Sequence, residues 1–163
     1  MRVEWRHVGV DVSGAGGVSG AGVSGWRLPA LVPAVLGLGV AAYLTVEHYN
    51  GSTTLACPDS GTVDCAKVTT SSYSHVGPIP VAVAGLVYFA VMVALLVPWA
   101  WRVRVLDRLR LAGAVVGIAS VVYLIWAELF RIDALCLWCT AVHACTVVMF
   151  GGIVWYIASP AVD

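Results

Sequence analysis

Four long runs of this chain carry almost no charge, and that property constrains its fold more than any other. Leu28 to Val46, Ile79 to Trp101 and Leu111 to Ala127 contain no Asp, Glu, Lys, Arg or His, and Ala134 to Val162 contains only His143. Each run is close to the ~20 residues a helix needs to cross the hydrocarbon core of a bilayer. One such helix can hide inside a soluble protein, but four in a chain of 163 residues have too little polar structure to cover them. Charged residues make up 11% of the chain, against roughly 25% in a soluble domain. The expected fold is therefore all-α and integral to a membrane, a four-transmembrane-helix bundle.

Orientation follows from the cations. Arg2, Arg6 and Arg27 precede the first run, and Arg102, Arg104, Arg108 and Arg110 separate the second from the third, leaving Lys67 and Arg131 on the other side. The positive-inside rule then puts both termini in the cytoplasm and the long loop between helices 1 and 2 outside, together with the start of the last helix. The formal net charge of zero hides this asymmetry. Residues 1–26 are rich in Gly, Ser and Val, lack the apolar core of a signal peptide, and read as a disordered cytoplasmic tail; residues 27–158 form the membrane domain. Within it the expected helices are Leu28 to Tyr49, one that follows Pro78 and Pro80 and ends at Pro98, Leu109 to Phe130, and one beginning near Ala134. Trp99 and Trp101 are expected at the interface, as are Glu47 and His48. The loop from Asn50 to Pro78 is too long for a mere connector, and Val68 to Tyr73 could lie along the bilayer as a short amphipathic segment.

The chemistry sits in five cysteines. Cys136 and Cys139 form a CxxC in the expected first turn of the last helix, about 60° apart on its surface, with His143 between them in projection. A helix N-terminus favours a thiolate, which suits an exchangeable disulfide. Cys136, nearer the end, should be the more accessible sulfur and Cys139 the deeper one. The plainer alternative is a static disulfide or two packed thiols. Cys57 and Cys65 lie in the long loop, on the same expected side. Alone they would suggest a structural disulfide; beside a CxxC they suggest a relay, with Cys57 as the entry point and Cys65 exchanging with Cys136. His143 lies roughly 13 Å below Ala134 at ~1.5 Å per residue, where an ionisable side chain suggests a proton carrier or hydrogen-bond donor; a neutral, packed histidine is the alternative. Cys145 reads as a packed thiol, Glu128 and Asp133 as solvated interface charges, and Trp138 as an anchor or a shield for the dithiol. Zinc is disfavoured because C-x7-C is too wide for a knuckle, and covalent haem because Thr140 follows Cys139.

The combination of Cys57-x7-Cys65, the cluster Ser71-Ser72-Tyr73-Ser74, Gly77-Pro78-Ile79-Pro80-Val81 and Cys136-x-x-Cys139 resembles the vitamin K epoxide reductase (VKOR) family over roughly Leu28 to Trp155. It is most similar to the bacterial members, which oxidise a periplasmic DsbA-like thioredoxin-fold protein and pass the electrons to a membrane quinone, menaquinone or ubiquinone. The resemblance implies that Cys139 reacts with quinone, Cys136 resolves it, Cys65 carries the disulfide outward and Cys57 faces the partner. It also implies a quinone pocket with Ser71 as its cap, His143 where vertebrate members carry Tyr, and Val81 where they carry Asn. Those two departures favour quinone reduction over vitamin K epoxide reduction, the alternative within the family. The implied setting is the bacterial cytoplasmic membrane, with lipid, quinone and a separate thiol partner as its contacts and no nucleic acid. The alternative outside the family is a non-enzymatic membrane scaffold held by structural disulfides.

Overall fold

The computed structural model describes residues 28–51, 55–57 and 61–158; the expected tail, 1–26, lies outside them. Helix α1 runs Leu28–Tyr49, and a short α2, Cys65–Thr69, forms in the loop that follows. A 3-10 turn at Ser72–Ser74 leads into a two-residue hairpin, β1 His75–Val76 paired antiparallel with β2 Ile79–Pro80. Gly77, at φ 63°, supplies the positive φ that this tight reversal needs. Then come α3 Val81–Leu96, α4 Val105–Ala127 with a π-helical extension Glu128–Ile132, and α5 Leu137–Ala158.

The long helices pack with α1 against both α3 and α5, and α4 against α5 and α3. Small residues on α1 make this close. Ala30, Ala34 and Ala41 are buried in the main core beside Phe89, Met92, Met149 and Ile153. A methyl group on Gly37 would collide with the Phe89 ring. Outward-facing Leu36, Val87, Val122, Val148 and Trp155 are exposed, the inverse of a water-soluble surface and the pattern of helices solvated by lipid. Among the described residues, α1, α4 with its extension, and α5 are long and apolar enough to cross a membrane.

Helix α3 is shorter than the run that encodes it. At 16 residues it spans about 24 Å at ~1.5 Å per residue. Ile79 and Pro80 are taken by the hairpin, and Pro98 pushes Val97 into an extended conformation at φ −58°, ψ 145°, which stops the helix. Helix α4 starts four residues earlier than expected. The apolar packing at this end also departs from the interfacial belt expected for both tryptophans. Trp99 is exposed, but Trp101 folds inward, its indole donating to the Leu96 carbonyl at 2.9 Å and its ring set 4.1 Å from that of Tyr156. The Arg110 guanidinium lies 4.1 Å over the Trp101 ring, donates to the Leu95 carbonyl at 2.8 Å, and pairs with Asp107.

Candidate functional site: two cysteine pairs above an apolar cavity

At the other end of the bundle the loop is tied down by polar contacts to distant parts of the chain. Asp64 caps α2, accepting the Lys67 backbone N–H at 2.8 Å. The strand-like stretch before it lies parallel to the α4–α5 connection. There Leu135 N–H donates to the Thr62 carbonyl at 2.8 Å and Asp64 N–H to the Leu135 carbonyl at 3.1 Å. Lys67 reaches the Asp133 carbonyl at 3.3 Å, and Arg131 donates to the Tyr73 hydroxyl at 2.6 Å. Both backbone groups of Ala56 are engaged: its N–H donates to the Tyr43 hydroxyl at 3.0 Å, and the Trp138 indole donates to its carbonyl at 2.8 Å. Trp138 is thus more than an interface anchor, since it holds the residue next to Cys57.

Those ties bring the sulfurs together. Cys57 and Cys65 form a disulfide, with Cα atoms 6.1 Å apart. Cys65, 1% exposed, and Cys136, 0% exposed, are buried in one apolar cluster with Val68, Ile132 and Ala134. Cys139, half-buried, packs against the same cluster. Cys136 and Cys139 are free thiols, as is Cys145, which packs against the main core.

Two expectations about Cys136 are corrected. It precedes α5 rather than lying in its first turn, because the Leu135 pairing holds the chain extended up to it; its carbonyl accepts the Thr140 N–H at 2.9 Å. It is also the less accessible sulfur of the CxxC, since α2 covers it. Its sulfur accepts the Cys139 backbone N–H at 3.3 Å. The Cys139 thiol, with the backbone N–H groups of Cys139 and Trp138, holds the Cys136 thiol below its ordinary pKa, against burial and the Glu128 charge, which oppose it.

Beneath the sulfurs is a half-open apolar cavity of about 880 Å³ lined by α1, α3, α4, α5 and the loop. Its lining includes Cys139, His143, Glu128, Tyr88, Ser71 and Val81. His143, 6% exposed, sits one turn below Cys139. Ser71 donates to the Val68 carbonyl at 2.8 Å, which leaves its oxygen lone pairs for another donor. Tyr88 donates to the Gly113 carbonyl at 3.2 Å, and a methyl group on Gly117 would collide with its ring. Cys57 lies outside the cavity, on the loop.

Glu128 is the residue whose place differs most from expectation. Read as a solvated interface charge, it is 4% exposed, lines the cavity, and accepts the Cys136 backbone N–H. Glu47, also expected at the interface, is buried too, whereas Asp133 is exposed, in a left-handed conformation at φ 52°. The signal for Glu128 was present: an acid eight residues before Cys136, at the end of an uncharged run.

An apolar helical bundle that sets a disulfide against a dithiol at one end of a cavity has the layout of a membrane thiol–disulfide oxidoreductase. The profile of the Vitamin K epoxide reductase family matches residues 28–154, and the chain belongs to that family. A comparison with curated proteins finds no significant match.

Proposed function

We propose that the protein is a quinone-dependent disulfide-generating enzyme of the bacterial type. It takes electrons from a DsbA-like thioredoxin-fold partner through Cys57 and Cys65 and delivers them through Cys136 and Cys139 to menaquinone or ubiquinone. The observation that carries the reading is the shared burial of Cys65 and Cys136 in one cluster, with Cys139 turned to the cavity. In this reading α3 is the fourth span, the loop end faces away from the cytoplasm, and the exposed Arg102, Arg104 and Arg108 face into it.

The cycle begins when the Cys57–Cys65 disulfide oxidises a reduced partner, leaving the loop as a dithiol. The Cys65 thiolate attacks Cys136 of a Cys136–Cys139 disulfide, and Cys139 leaves. Cys57 then attacks Cys65, re-forming the loop disulfide and releasing Cys136. A thiol of lowered pKa leaves faster, so the donors around Cys136 assist this last step. The arrangement with a loop disulfide and a free helix dithiol corresponds to the enzyme with its electron pair at the cavity. The pair then passes from the dithiol to the quinone, which takes two protons as well. Ser71 and His143 are placed to bond the quinone oxygens, and Val81 shapes the apolar wall.

The test is a trapped intermediate. In the Cys57→Ala/Cys139→Ala double variant, purified and oxidised, non-reducing peptide mapping should recover a Cys65–Cys136 disulfide. Recovery of only unlinked Cys65 and Cys136 would sink the relay. Wild-type protein should also couple oxidation of a thioredoxin-fold dithiol protein to reduction of added quinone, one for one.

A further inference from the structure

Glu128 is a buried acid that the electron path leaves unused. It begins the π-helical turn that ends α4, and the turn closes where Ala134 N–H donates to the Glu128 carbonyl at 3.2 Å. Its carboxylate accepts the Cys136 backbone N–H and also lines the cavity. Arg131, three residues on, is exposed and turned to Tyr73. The ionisable groups sharing the cavity with Glu128 are Cys139 and His143 of α5, Tyr88 of α3, Tyr123 of α4, His48 of α1, and Tyr73 and His75 of the loop.

The chemistry requires a proton route just here. Two thiols and a quinone become a disulfide and a hydroquinone. The Cys136–Cys139 S–S bond forms, one electron pair moves to the quinone, and the two S–H protons end on the two quinone oxygens. Cys136 has no exposed surface, so water does not reach its sulfur to take the proton. A buried carboxylate is costly without donors, and one at this point gains by accepting a proton as the disulfide forms. We infer that Glu128 is the proton carrier of the reduced dithiol. It takes the Cys136 proton as the S–S bond closes and gives it up to a quinone oxygen in the cavity, returning to carboxylate with no net change. His143, one turn below Cys139, serves the other oxygen. This inference rests on the proposed function and adds a residue to it.

The experiment uses the full chain in nanodiscs, pre-reduced with dithiothreitol and freed of reductant, then mixed with a short-tailed naphthoquinone. Wild-type quinone reduction is read first; its absence would overturn the proposed function and this inference with it. Given wild-type turnover, Glu128→Gln should slow single-turnover quinone reduction by about tenfold or more. It should also abolish the fall in rate at acid pH that comes from protonating the acceptor. N-ethylmaleimide labelling of Cys139 should be undiminished, because Gln keeps the size of the side chain and an oxygen to accept the Cys136 backbone N–H. Slower quinone reduction with intact thiol reactivity is the signature of a lost proton carrier. A wild-type rate and pH profile in Glu128→Gln would overturn the inference while leaving the relay standing. So would losses of quinone reduction and thiol labelling in equal proportion, which mark a structural role. Should Glu128→Gln not fold, Glu128→Asp decides: the acid limb should move with the changed carboxylate, and an unmoved limb would overturn the inference.

Discussion

Both ends of the bundle bury charge, and Arg110 at one end and Glu128 at the other are treated in opposite ways. At the arginine end, Arg110 is 0% exposed and held by fixed groups, the Asp107 carboxylate, the Leu95 carbonyl and the face of Trp101, while its Nη2 is buried without a hydrogen-bond partner. A guanidinium does not give up its proton in a protein, so this charge locks the turn between α3 and α4 and does nothing else. At the sulfur end, Glu128 is held by one backbone N–H and faces a cavity and two thiols. Its charge is exchangeable. The contrast separates a charge built in for structure from one placed where protons move.

The largest effect expected is at the sulfur end. Cys139→Ala should lower quinone reduction by about a thousandfold or more, as loss of a nucleophile does, while the Cys57–Cys65 disulfide still forms. Retained quinone reduction would end the relay reading. At the arginine end the effect should fall on stability instead. Arg110→Ala should cost about 3 kcal/mol, because it empties a fully buried site and removes the donor to the Leu95 carbonyl and the packing on Trp101, and should lower the thermal midpoint in detergent. The folded fraction should keep its activity per molecule. An inactive but fully stable Arg110→Ala protein would break the comparison.

Smaller changes sharpen it. Trp138→Phe removes the donor to the Ala56 carbonyl; at about 1 kcal/mol for such a bond, Cys65–Cys136 exchange should slow about fivefold with the quinone KM unchanged. In Cys139→Ala the Cys136 thiol also loses the neighbour that lowers its pKa. The pH midpoint of the Cys136 thiolate absorbance should therefore rise, since the thiolate, present in wild type down to the lowered value, is now lost sooner as pH falls. The smallest effect belongs to Tyr73→Phe. The Arg131 bond it removes is exposed and worth about 0.5 kcal/mol, so the quinone KM should change about twofold.

Much of this was legible in one dimension. Runs free of charge mark their helices whatever the packing, because lipid selects on hydropathy alone, and the start of α1 at Leu28 and its end at Tyr49 agree with the reading. The cysteine pairs, the Ser71 cluster and Gly77-Pro78-Ile79-Pro80-Val81 carried the family. The prolines also bounded α3: the expectation of a helix after Pro80 that stops at Pro98 agrees with Val81–Leu96, and what the apolar run did not show is that Ile79 and Pro80 pair in a hairpin.

Hydropathy and spacing by themselves determined that this chain is a membrane-embedded bundle with two cysteine pairs and an arginine-rich turn, because those are properties of short segments. Only the tertiary structure decided which charges are buried and which sulfur is covered. Burial depends on neighbours far along the chain. Trp138 finds Ala56 across 82 residues and Arg131 finds Tyr73 across 58, and those contacts set α2 over Cys136. The identity of Glu128 as an inner acid, of Trp101 as a core residue and of Cys136 as the hidden thiol follows from that packing, since a side chain's environment is made by what folds against it.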